Sequence, residues 1–437
     1  MCGRSPRKME KSGPPAKRKA RRRGWIKPAA LEAALAIVAA MTSAGITVAG
    51  ESRLPSDTGI AIRWAPLFAP SAHTVYLDPV WSADGKFIYF WQEEFARGAK
   101  PMGPEVMRFD LASGELRQVA RGRSPDISSD GRWLLFRGGN DDSLTLKDLE
   151  SDTETNIARE AYRPAWVGAG QFIYYLAPQH ELRLVHVPGL GQDILMRFSL
   201  MPSAWRLAPD GALLAVCVPT GGRRPDEIRV VDVRSHRGLK IAEATCRGLP
   251  VWSPDSQLVA FAASRQRAPG GTAPKATRRI YLYDVKAASL RLLTDGPNDY
   301  DPVWSPDGTR LTFARQATHY DSSRDCELLV YDCRSQQTTT VATSRAPILD
   351  IAWSPDGRWL SYRAYATVDS GHKLAGGVGL VRSDGSLGAV LTHPPLFPVQ
   401  WSPNSSRLTC LSLPSASAGT RLWLIDVTHD THARCPS

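Results

Sequence analysis

The sequence predicts an all-β fold: a β-propeller of eight four-stranded blades, with seven blades as the alternative, preceded by one N-terminal membrane helix. Three observations predict it. A phrase of the type Trp-Ser-Pro-Asp-Gly recurs along most of the chain. Its copies are spaced by about the length of one propeller blade. A basic stretch followed by an apolar stretch opens the chain and is typical of a membrane-engaging segment.

The repeated sequence motif is clearest at residues 78–85, 301–308 and 351–357, and more degenerate copies lie between and after them. Aligning the copies at the Trp position gives eight anchors: Trp81, Ile127, Trp166, Leu207, Trp252, Trp304, Trp353 and Trp401. Successive anchors are between 39 residues (127 to 166) and 52 residues (252 to 304) apart. Such steps suit one four-stranded blade for each copy.

Each copy predicts the same four strands. A first strand runs into the anchor, and Ser-Pro-Asp-Gly suits a type I turn because Ser bonds back to the backbone, Pro presets φ and Gly tolerates the last position. An apolar run such as Leu258–Phe261 predicts a second strand covered on both faces. An apolar-Asp-apolar signature such as Phe109-Asp110-Leu111 ends the third strand, and a fourth follows.

Four segments divide the chain. Residues 1–27 form a basic N-terminal tail, 28–50 a transmembrane or signal segment, 51–77 a linker with a ring-closing strand, and 78–437 the propeller. The ring-closing candidate is the apolar segment 59–64. We expect it to pair as an outer strand of the last blade, because closure removes exposed sheet edges.

The positive charge is concentrated in the tail. The chain carries a net charge of +11, whereas residues 1–27 hold eleven Lys and Arg against the single acid Glu10. The remainder is therefore close to neutral, and this excludes a nucleic-acid-binding body from the expected classes.

The basic tail and the apolar segment leave three interpretations open for location. Residues 33–50 are uncharged, long enough for a short single-pass anchor in the cell membrane with an extracytoplasmic propeller. Alternatively, Arg22-Arg23-Gly24-Trp25-Ile26-Lys27 resembles a twin-arginine signal, with small residues near Ala44 and Gly50 for cleavage, and the protein is then secreted or periplasmic. A nuclear-type basic tail on a soluble protein is the third reading.

The cysteines give no metal or redox motif. None of the seven forms a Cys-x-x-Cys pair. Outside the cell, the six from Cys217 to Cys435 are candidates for disulfides; the alternative is a set of free thiols. We expect Cys326 and Cys333 to lie on one strand, too far apart to bridge each other.

Catalytic motifs are missing from the sequence. It contains no Gly-x-Ser-x-Gly elbow, no His-Glu-x-x-His, no phosphate-binding loop and no clustered histidines. We therefore predict no catalytic, cofactor or metal residues, and a protein that is not an enzyme. The recurring turn aspartates are expected to cap turns rather than bind calcium, and the motif tryptophans to pack between blades.

The expected positions of eight residues make them candidates for ligand binding. The residues three before each anchor begin the innermost strands and are expected to ring one mouth of the central channel. They are Asp78, Ser124, Arg163, Ala204, Leu249, Asp301, Asp350 and Pro398. The charged members, Asp78, Arg163, Asp301 and Asp350, are candidates for holding a cation or a basic peptide; the alternative is that they only bond neighbouring backbone. The inserts 264–279, 315–326 and 365–377 are further candidates.

The repeated phrase resembles the propeller repeat of TolB-like and WD-repeat-like proteins, also found in propellers of the prolyl oligopeptidase family, over residues 78 to about 430. The resemblance implies a monomeric propeller, tethered outside the cell, that binds a protein, a peptide or a cell-envelope polymer without catalysis or cofactor. Two alternatives from other classes are kept. One is an enzyme of polysaccharide lyase or hydrolase type acting in the propeller funnel. The other is a sensor with the basic tail inside the cell.

Overall fold

The residues that the structure describes form strands as their only regular secondary structure. The computed structural model describes residues 50–53, 60–68, 73–94, 103–139, 141–221, 225–246, 248–264, 278–316, 326–344, 347–367, 374–391, 396–412 and 420–429. All secondary-structure elements within these ranges are β-strands and none is a helix, so the all-β class is confirmed. None of these residues belongs to a helix that is long and apolar enough to cross a membrane. The predicted tail and membrane segment lie outside the described residues, except that Gly50 begins the first strand.

The first half of the chain supplies three groups of four strands and one group of three. Before them lie β1 (Gly50–Arg53) and β2 (Ile60–Pro66). The groups are β3 (Thr74–Trp81), β4 (Phe87–Glu94), β5 (Glu105–Asp110) and β6 (Leu116–Ile127); β7 (Trp133–Gly138), β8 (Leu144–Asp148) and β9 (Thr153–Ala158); β10 (Ala161–Val167), β11 (Gln171–Leu176), β12 (Glu181–His186) and β13 (Gly191–Arg197); and β14 (Ala204–Leu207), β15 (Leu213–Val218), β16 (Glu227–Asp232) and β17 (Gly238–Glu243).

The second half continues the same order. Its strands are β18 (Thr245–Cys246), β19 (Val251–Trp252), β20 (Leu258–Ser264), β21 (Arg279–Asp284) and β22 (Ser289–Leu292); β23 (Asp299–Trp304), β24 (Arg310–Gln316), β25 (Cys326–Asp332) and β26 (Thr338–Ser344); β27 (Leu349–Trp353), β28 (Trp359–Thr367), β29 (Leu374–Arg382) and β30 (Gly388–Leu391); and β31 (Leu396–Trp401), β32 (Arg407–Ser412) and β33 (Arg421–His429).

These strands form seven hydrogen-bonded sheets, the largest of which contains two units. The early part of β6 pairs with β5 up to Arg121, and its later part pairs with β7 from Gly122 onward. The seven-stranded sheet therefore divides at β6 into two four-stranded units that share one strand. Counted by pairing within the described ranges, eight units follow one another, and we number them blades 1 to 8 in the order of their anchors. The propeller class is confirmed.

The last blade is completed from the N-terminal side. In the sheet that holds β31, β32 and β33, the outer strand is β2, which pairs antiparallel with β33, for example Trp64 with Ile425. The segment expected to close the ring thus lies in blade 8. β1 adds a fifth strand outside it.

The core is divided among the contacts between blades. Within the described part of the chain, eight clusters of buried apolar side chains each join two neighbouring blades. The cluster around Trp81 and Phe90 of blade 1 includes Leu422 of blade 8. Contact between the first and last blades closes the sheets into a ring, and burial of apolar area between blades is the main stabilising term.

The repeated turn has the expected chemistry. In blade 6, the Ser305 hydroxyl donates to Asp307 Oδ1 at 2.5 Å and accepts the Arg310 backbone N–H at 2.9 Å. The same carboxylate oxygen accepts the Thr309 N–H at 3.1 Å, and Gly308 has a φ of 70°, which favours glycine. Blades 1, 2, 5 and 7 repeat these bonds. The turn-capping role of the aspartates is confirmed.

The motif tryptophans link neighbouring blades. The indole N–H of Trp252 donates to the backbone oxygen of Arg206 at 2.9 Å, and that of Trp353 donates to Val303 at 3.2 Å. Trp81, Trp166 and Trp304 make the same bond to the preceding blade. In blade 8 the indole of Trp401 donates instead to the Ser361 hydroxyl at 2.9 Å. Packing between blades, predicted for these residues, is confirmed.

The cysteines divide into bonded and free. Cys217 is disulfide-bonded. Cys326, Cys333 and Cys410 are not disulfide-bonded, so Cys326 and Cys333 do not bridge each other, as expected from their strand. Burial raises the pKa of the Cys410 thiol, which keeps it protonated and unreactive.

Two buried hydroxyl groups at equivalent positions, one bonded to a motif tryptophan and one without a hydrogen-bond partner, allow the contribution of the bond between blades to be measured. Ser361 and Thr312 each pair with the residue before an anchor, and both are fully buried. Ser361 accepts the Trp401 indole N–H, whereas the Thr312 hydroxyl has no hydrogen-bond partner. We expect Ser361→Ala to lower the free energy of unfolding by about 1–3 kcal/mol, because it leaves a buried N–H unsatisfied. The matched change Thr312→Val should cost under about 0.5 kcal/mol. Chemical denaturation measures both, and equal losses would contradict the assignment.

Candidate functional site

Seven of the eight mouth-ring positions lie within the inner strands, rather than at their starts as predicted in every case, and Leu249 lies between β18 and β19. In six of the blades the pairing of the first two strands shifts register at this point, which marks a β-bulge. Five ring residues adopt a positive φ between 48° and 51° although none is glycine: Asp78, Ser124, Arg163, Asp301 and Asp350. Left-handed backbone at such residues costs of the order of 1 kcal/mol each and persists only where the surrounding structure imposes it.

The four charged residues predicted to bind a ligand all adopt this left-handed backbone conformation. A bulge takes a residue out of the ladder and re-aims its side chain, and bulges occur often beside functional sites. In blade 5 the left-handed residue is Gly248, with a φ of 94°, one position before Leu249. The worn copy of the phrase in that blade is therefore displaced by one residue from the predicted register.

Asp78 is held by two hydrogen bonds. Its Oδ2 accepts the indole N–H of Trp91 and the hydroxyl of Ser124, each at 2.9 Å. Trp91 lies on the second strand of the same blade, opposite the bulge, whereas Ser124 is the ring residue of the next blade. These bonds connect the mouth positions of blades 1 and 2 and fix the direction of the Asp78 carboxylate.

Asp301 and Asp350 form an acidic pair on blades 6 and 7. Burial raises the pKa of Asp301, and the charge of Asp350 raises it further, while Arg278 opposes the shift. Asp350 accepts from Arg363 Nε at 2.7 Å and from a second nitrogen of the same guanidinium. Arg363 lies over the ring of Phe397 of blade 8 at 5.2 Å. Asp301 therefore binds a proton more tightly than an ordinary aspartate. The charge of the neighbouring Asp350 is paired with Arg363.

Arg163 lies on the other side of the ring, on blade 3. Its guanidinium donates to the Ser203 backbone oxygen at 3.0 Å and lies over the Trp205 ring at 5.4 Å, both in blade 4. Blade 3 is four places from blade 7 in a ring of eight, so Arg163 faces the acidic pair across the mouth. The structure brings Asp301 and Asp350 together and joins Asp78 to Ser124, whereas Ala204, Leu249 and Pro398 add no charge.

Sequence reasoning missed two charged residues deeper in the channel. They stand one residue before the anchors of blades 2 and 4: Asp126 and Arg206. The equivalent positions in other blades are Val80, Ala165, Val251, Val303, Ala352 and Gln400. Arg206, Val251 and Val303 all occupy this position and line one common cavity, so the position one before the anchor faces the channel. Comparing this position across the aligned repeats identifies both charged residues in the sequence.

Asp126 is a titrating group inside the channel. Burial raises its pKa to about 6, partly offset by the backbone N–H of Ile127. A folded-state pKa above the usual value means that the folded protein binds the proton more tightly. Stability therefore falls as pH rises from about 4 to about 6 and stays reduced above that.

We expect Asp126→Asn to remove this penalty. At pH 7.5 the variant should be more stable than the wild type by about 1 kcal/mol, and the difference should shrink towards pH 4. Denaturant midpoints measured from pH 4 to 8 check it. Glu115→Gln, at an exposed turn of blade 1, should show no such pH-dependent difference. A constant offset for Asp126→Asn at every pH would count against the burial of an ionised carboxylate.

Other candidates fall outside what the structure describes. The central parts of the three predicted inserts, residues 265–277, 317–325 and 368–373, lie outside the described residues. Within the described ranges, no group of three or more His, Cys, Asp or Glu side chains is placed to hold a metal ion.

Known proteins resemble the chain in part. No family model matches it. A segment of 150 residues is 27% identical to the uncharacterized peptidase YuxL of Bacillus subtilis, and it covers 27% of this chain and 22% of that protein. The chain thus spans less than a quarter of this curated relative.

Solved propellers match most of the chain. One is the oligogalacturonate lyase of Vibrio parahaemolyticus, with a TM-score of 0.50 and 14% identity, covering 87% of this chain and 97% of that one. Another is TolB from Acinetobacter baumannii, with a TM-score of 0.38 and 15% identity, covering 70% and 80% of the two chains. The expected resemblance to TolB-like propellers is confirmed, and at these identities it shows the fold alone.

These comparisons correct one prediction. The lack of catalytic motifs predicted a protein that is not an enzyme, but the similar proteins include a lyase and a protein named as a peptidase, which point to an enzyme-type propeller. The prediction failed for a physical reason. In a propeller, groups about 50 residues apart in sequence, such as Asp301 and Asp350, meet at one mouth. A site assembled in this way leaves no local motif.

Proposed function

We propose that the protein is an enzyme that cleaves a glycosidic bond of a polysaccharide at the mouth ring, by elimination or by hydrolysis. The observation that carries the proposal is the acidic pair Asp301–Asp350. Both reactions need a group that gives or takes a proton beside the glycosidic oxygen. A carboxyl with a raised pKa serves that purpose near neutral pH.

The two carboxyls differ in environment, and this assigns their roles. Asp301 is largely surrounded by protein and its pKa is raised, so it is the proton-transferring group. Asp350 is bonded by Arg363, which fixes its orientation. In this assignment Asp350 acts as a fixed negative charge that faces the positive charge developing on the sugar ring in hydrolysis.

The opposite side of the mouth orients the substrate. Arg163 has no acidic partner among the described residues, and its guanidinium is held by Ser203 and Trp205. A sugar chain lying across the mouth would meet the acids on one side and this cation on the other. Arg163 then binds hydroxyl or carboxylate oxygens of a neighbouring sugar unit.

A solved propeller that resembles this chain is named as an enzyme that cleaves sugar chains. The similar propeller from Vibrio parahaemolyticus is an oligogalacturonate lyase, which supports the class of reaction in the proposal. The residues for this chain are argued only from its own mouth ring.

We further propose that the propeller lies outside the cytoplasm and is tethered by residues 28–50, with a cell-envelope polymer as substrate. The basic tail followed by an apolar segment supports an anchor with its tail inside. The disulfide at Cys217 supports an oxidising compartment. Cleavage after a twin-arginine-type signal is the competing arrangement.

Activity of variants tests the acid pair. The protein is incubated with a panel of neutral and acidic polysaccharides, and new reducing ends are measured together with the ultraviolet absorbance of the unsaturated sugar that elimination produces. We expect Asp301→Asn to lower kcat by at least about 100-fold, because proton transfer contributes that much or more. Glu115→Gln is the exposed control and should keep full activity. Cleavage of no polymer in the panel, or full activity of Asp301→Asn, would overturn the proposal.

Intact mass and membrane partition test the tether. Expressed with its native N-terminus, the protein should be full length and should need detergent for extraction, because the apolar segment remains in the bilayer. A soluble product whose mass matches cleavage near Ala44 or Gly50 would replace the tether with a free exported enzyme.

A further inference from the structure

The channel has a second concave site at its other end, among the repeated turns. A cavity of about 550 Å³ is bounded by residues of blades 3 to 6. Its wall includes Trp166, Trp252, Trp304 and turn prolines such as Pro209 and Pro306. The mouth residues precede the anchors along the inner strands and the repeated turns follow the anchors, so this end lies opposite the mouth ring. The volume is in the range of sites for small ligands.

A single charge faces this cavity. Arg206 is the one ionisable side chain among its lining residues, all of which are described. Its guanidinium makes no hydrogen bond or ion pair with another described residue, although its backbone oxygen accepts the Trp252 indole. The cavity remains accessible to this side chain, yet surrounding protein lowers the pKa of the guanidinium through lost hydration. Arginine nevertheless stays charged at neutral pH.

An unpaired cation in such a setting favours an anionic partner. The side chain of Arg206 is exposed to the cavity and has no acidic partner among the described residues, so its charge is available to a ligand. The cavity offers Arg206 no acid, while its walls are mainly apolar side chains such as Val167, Val251 and Val303. The complementary ligand has one acidic head group and an apolar body.

We propose that this cavity binds a small molecule with a carboxylate or phosphate head group on an apolar body, with Arg206 bonded to the head group. The guanidinium provides two parallel donors to either group. The apolar walls cover the body of the ligand. This site does not include the acidic pair Asp301 and Asp350.

A neighbouring pocket extends the positive wall. Its volume is about 180 Å³, and it shares Trp166, Val167, Arg206 and Leu207 with the larger cavity. Arg163 of the mouth ring also lines it, together with Trp205. Both arginines thus line one continuous wall between blades 3 and 4. A head group bonded to Arg206 would lie in a region of positive potential that extends towards the mouth.

Ligand-dependent stability and tryptophan fluorescence test the proposal on the whole protein. The probes are benzoate and phenyl phosphate, each with an acidic head on a ring, and benzamide as the uncharged match for benzoate. Benzoate or phenyl phosphate should raise the thermal midpoint in a concentration-dependent way and change the fluorescence of the lining tryptophans. The tighter of the two identifies the head group. Benzamide should bind at least about tenfold more weakly, since a charged hydrogen bond is lost.

Variants connect the binding to Arg206. Arg206→Met should weaken binding of the acidic probe at least about tenfold, and Arg206→Lys, which keeps the charge, should weaken it less. Arg237→Met, an exposed arginine of the same blade, should bind as the wild type does. The proposal is overturned if neither acidic probe binds, if benzamide binds as well as benzoate, or if both Arg206 variants bind as tightly as the wild type. The cleavage assay is separate, so failure here leaves the mouth-ring proposal unaffected.

Discussion

The indole-to-carbonyl bond between neighbouring blades is the contact on which the inner channel depends. Trp252 and Trp353 show it most simply: each indole crosses to the backbone oxygen of the residue before the preceding anchor. That oxygen belongs to a residue facing the channel, so the bond fixes the packing of two blades and the position of a channel residue together. In this way Trp252 positions Arg206, and Trp166 positions Asp126. Ring geometry and channel chemistry therefore have a common structural cause.

The mouth ring depends on this rigidity. Asp78, Asp301 and Asp350 all stand in left-handed backbone at bulges, a conformation that isolated strands of the same sequence would avoid. Packing on both sides of each blade supplies the energy that holds it. Because the blades are covered on two faces, relaxing one bulge would disturb two cores. The strain is therefore retained at the positions that carry the charged side chains.

The repeated phrase was sufficient to predict the class of fold, because Ser, Pro, Asp and Gly at fixed offsets each have a local physical role that the structure reproduces, as at Ser305 and Asp307. The mouth positions followed from the same alignment. The bulges did not, since their positive φ values arise from pairing between strands and occur even at Arg163, a residue type that does not favour left-handed backbone. In blade 5 the repeated motif is degenerate, and alignment on the anchor places Leu249 at the mouth position. The left-handed residue in the structure is Gly248 instead.

Catalysis was mispredicted for a related reason. A motif search detects groups that lie together in the chain, while a propeller brings together residues from different blades. Asp301 and Asp350 affect each other across a blade boundary, and Arg163 lies on the opposite side of the ring. Charge is distributed unevenly as a result: the acids of the mouth lie on blades 6, 7 and 1, and the arginines with no acidic partner on blades 3 and 4. A channel polarised in this way can hold a proton-transferring group on one side and bind an anionic group on the other. The alignment of the repeats, applied to every channel-facing position, is therefore the more informative way to search such a sequence for a site.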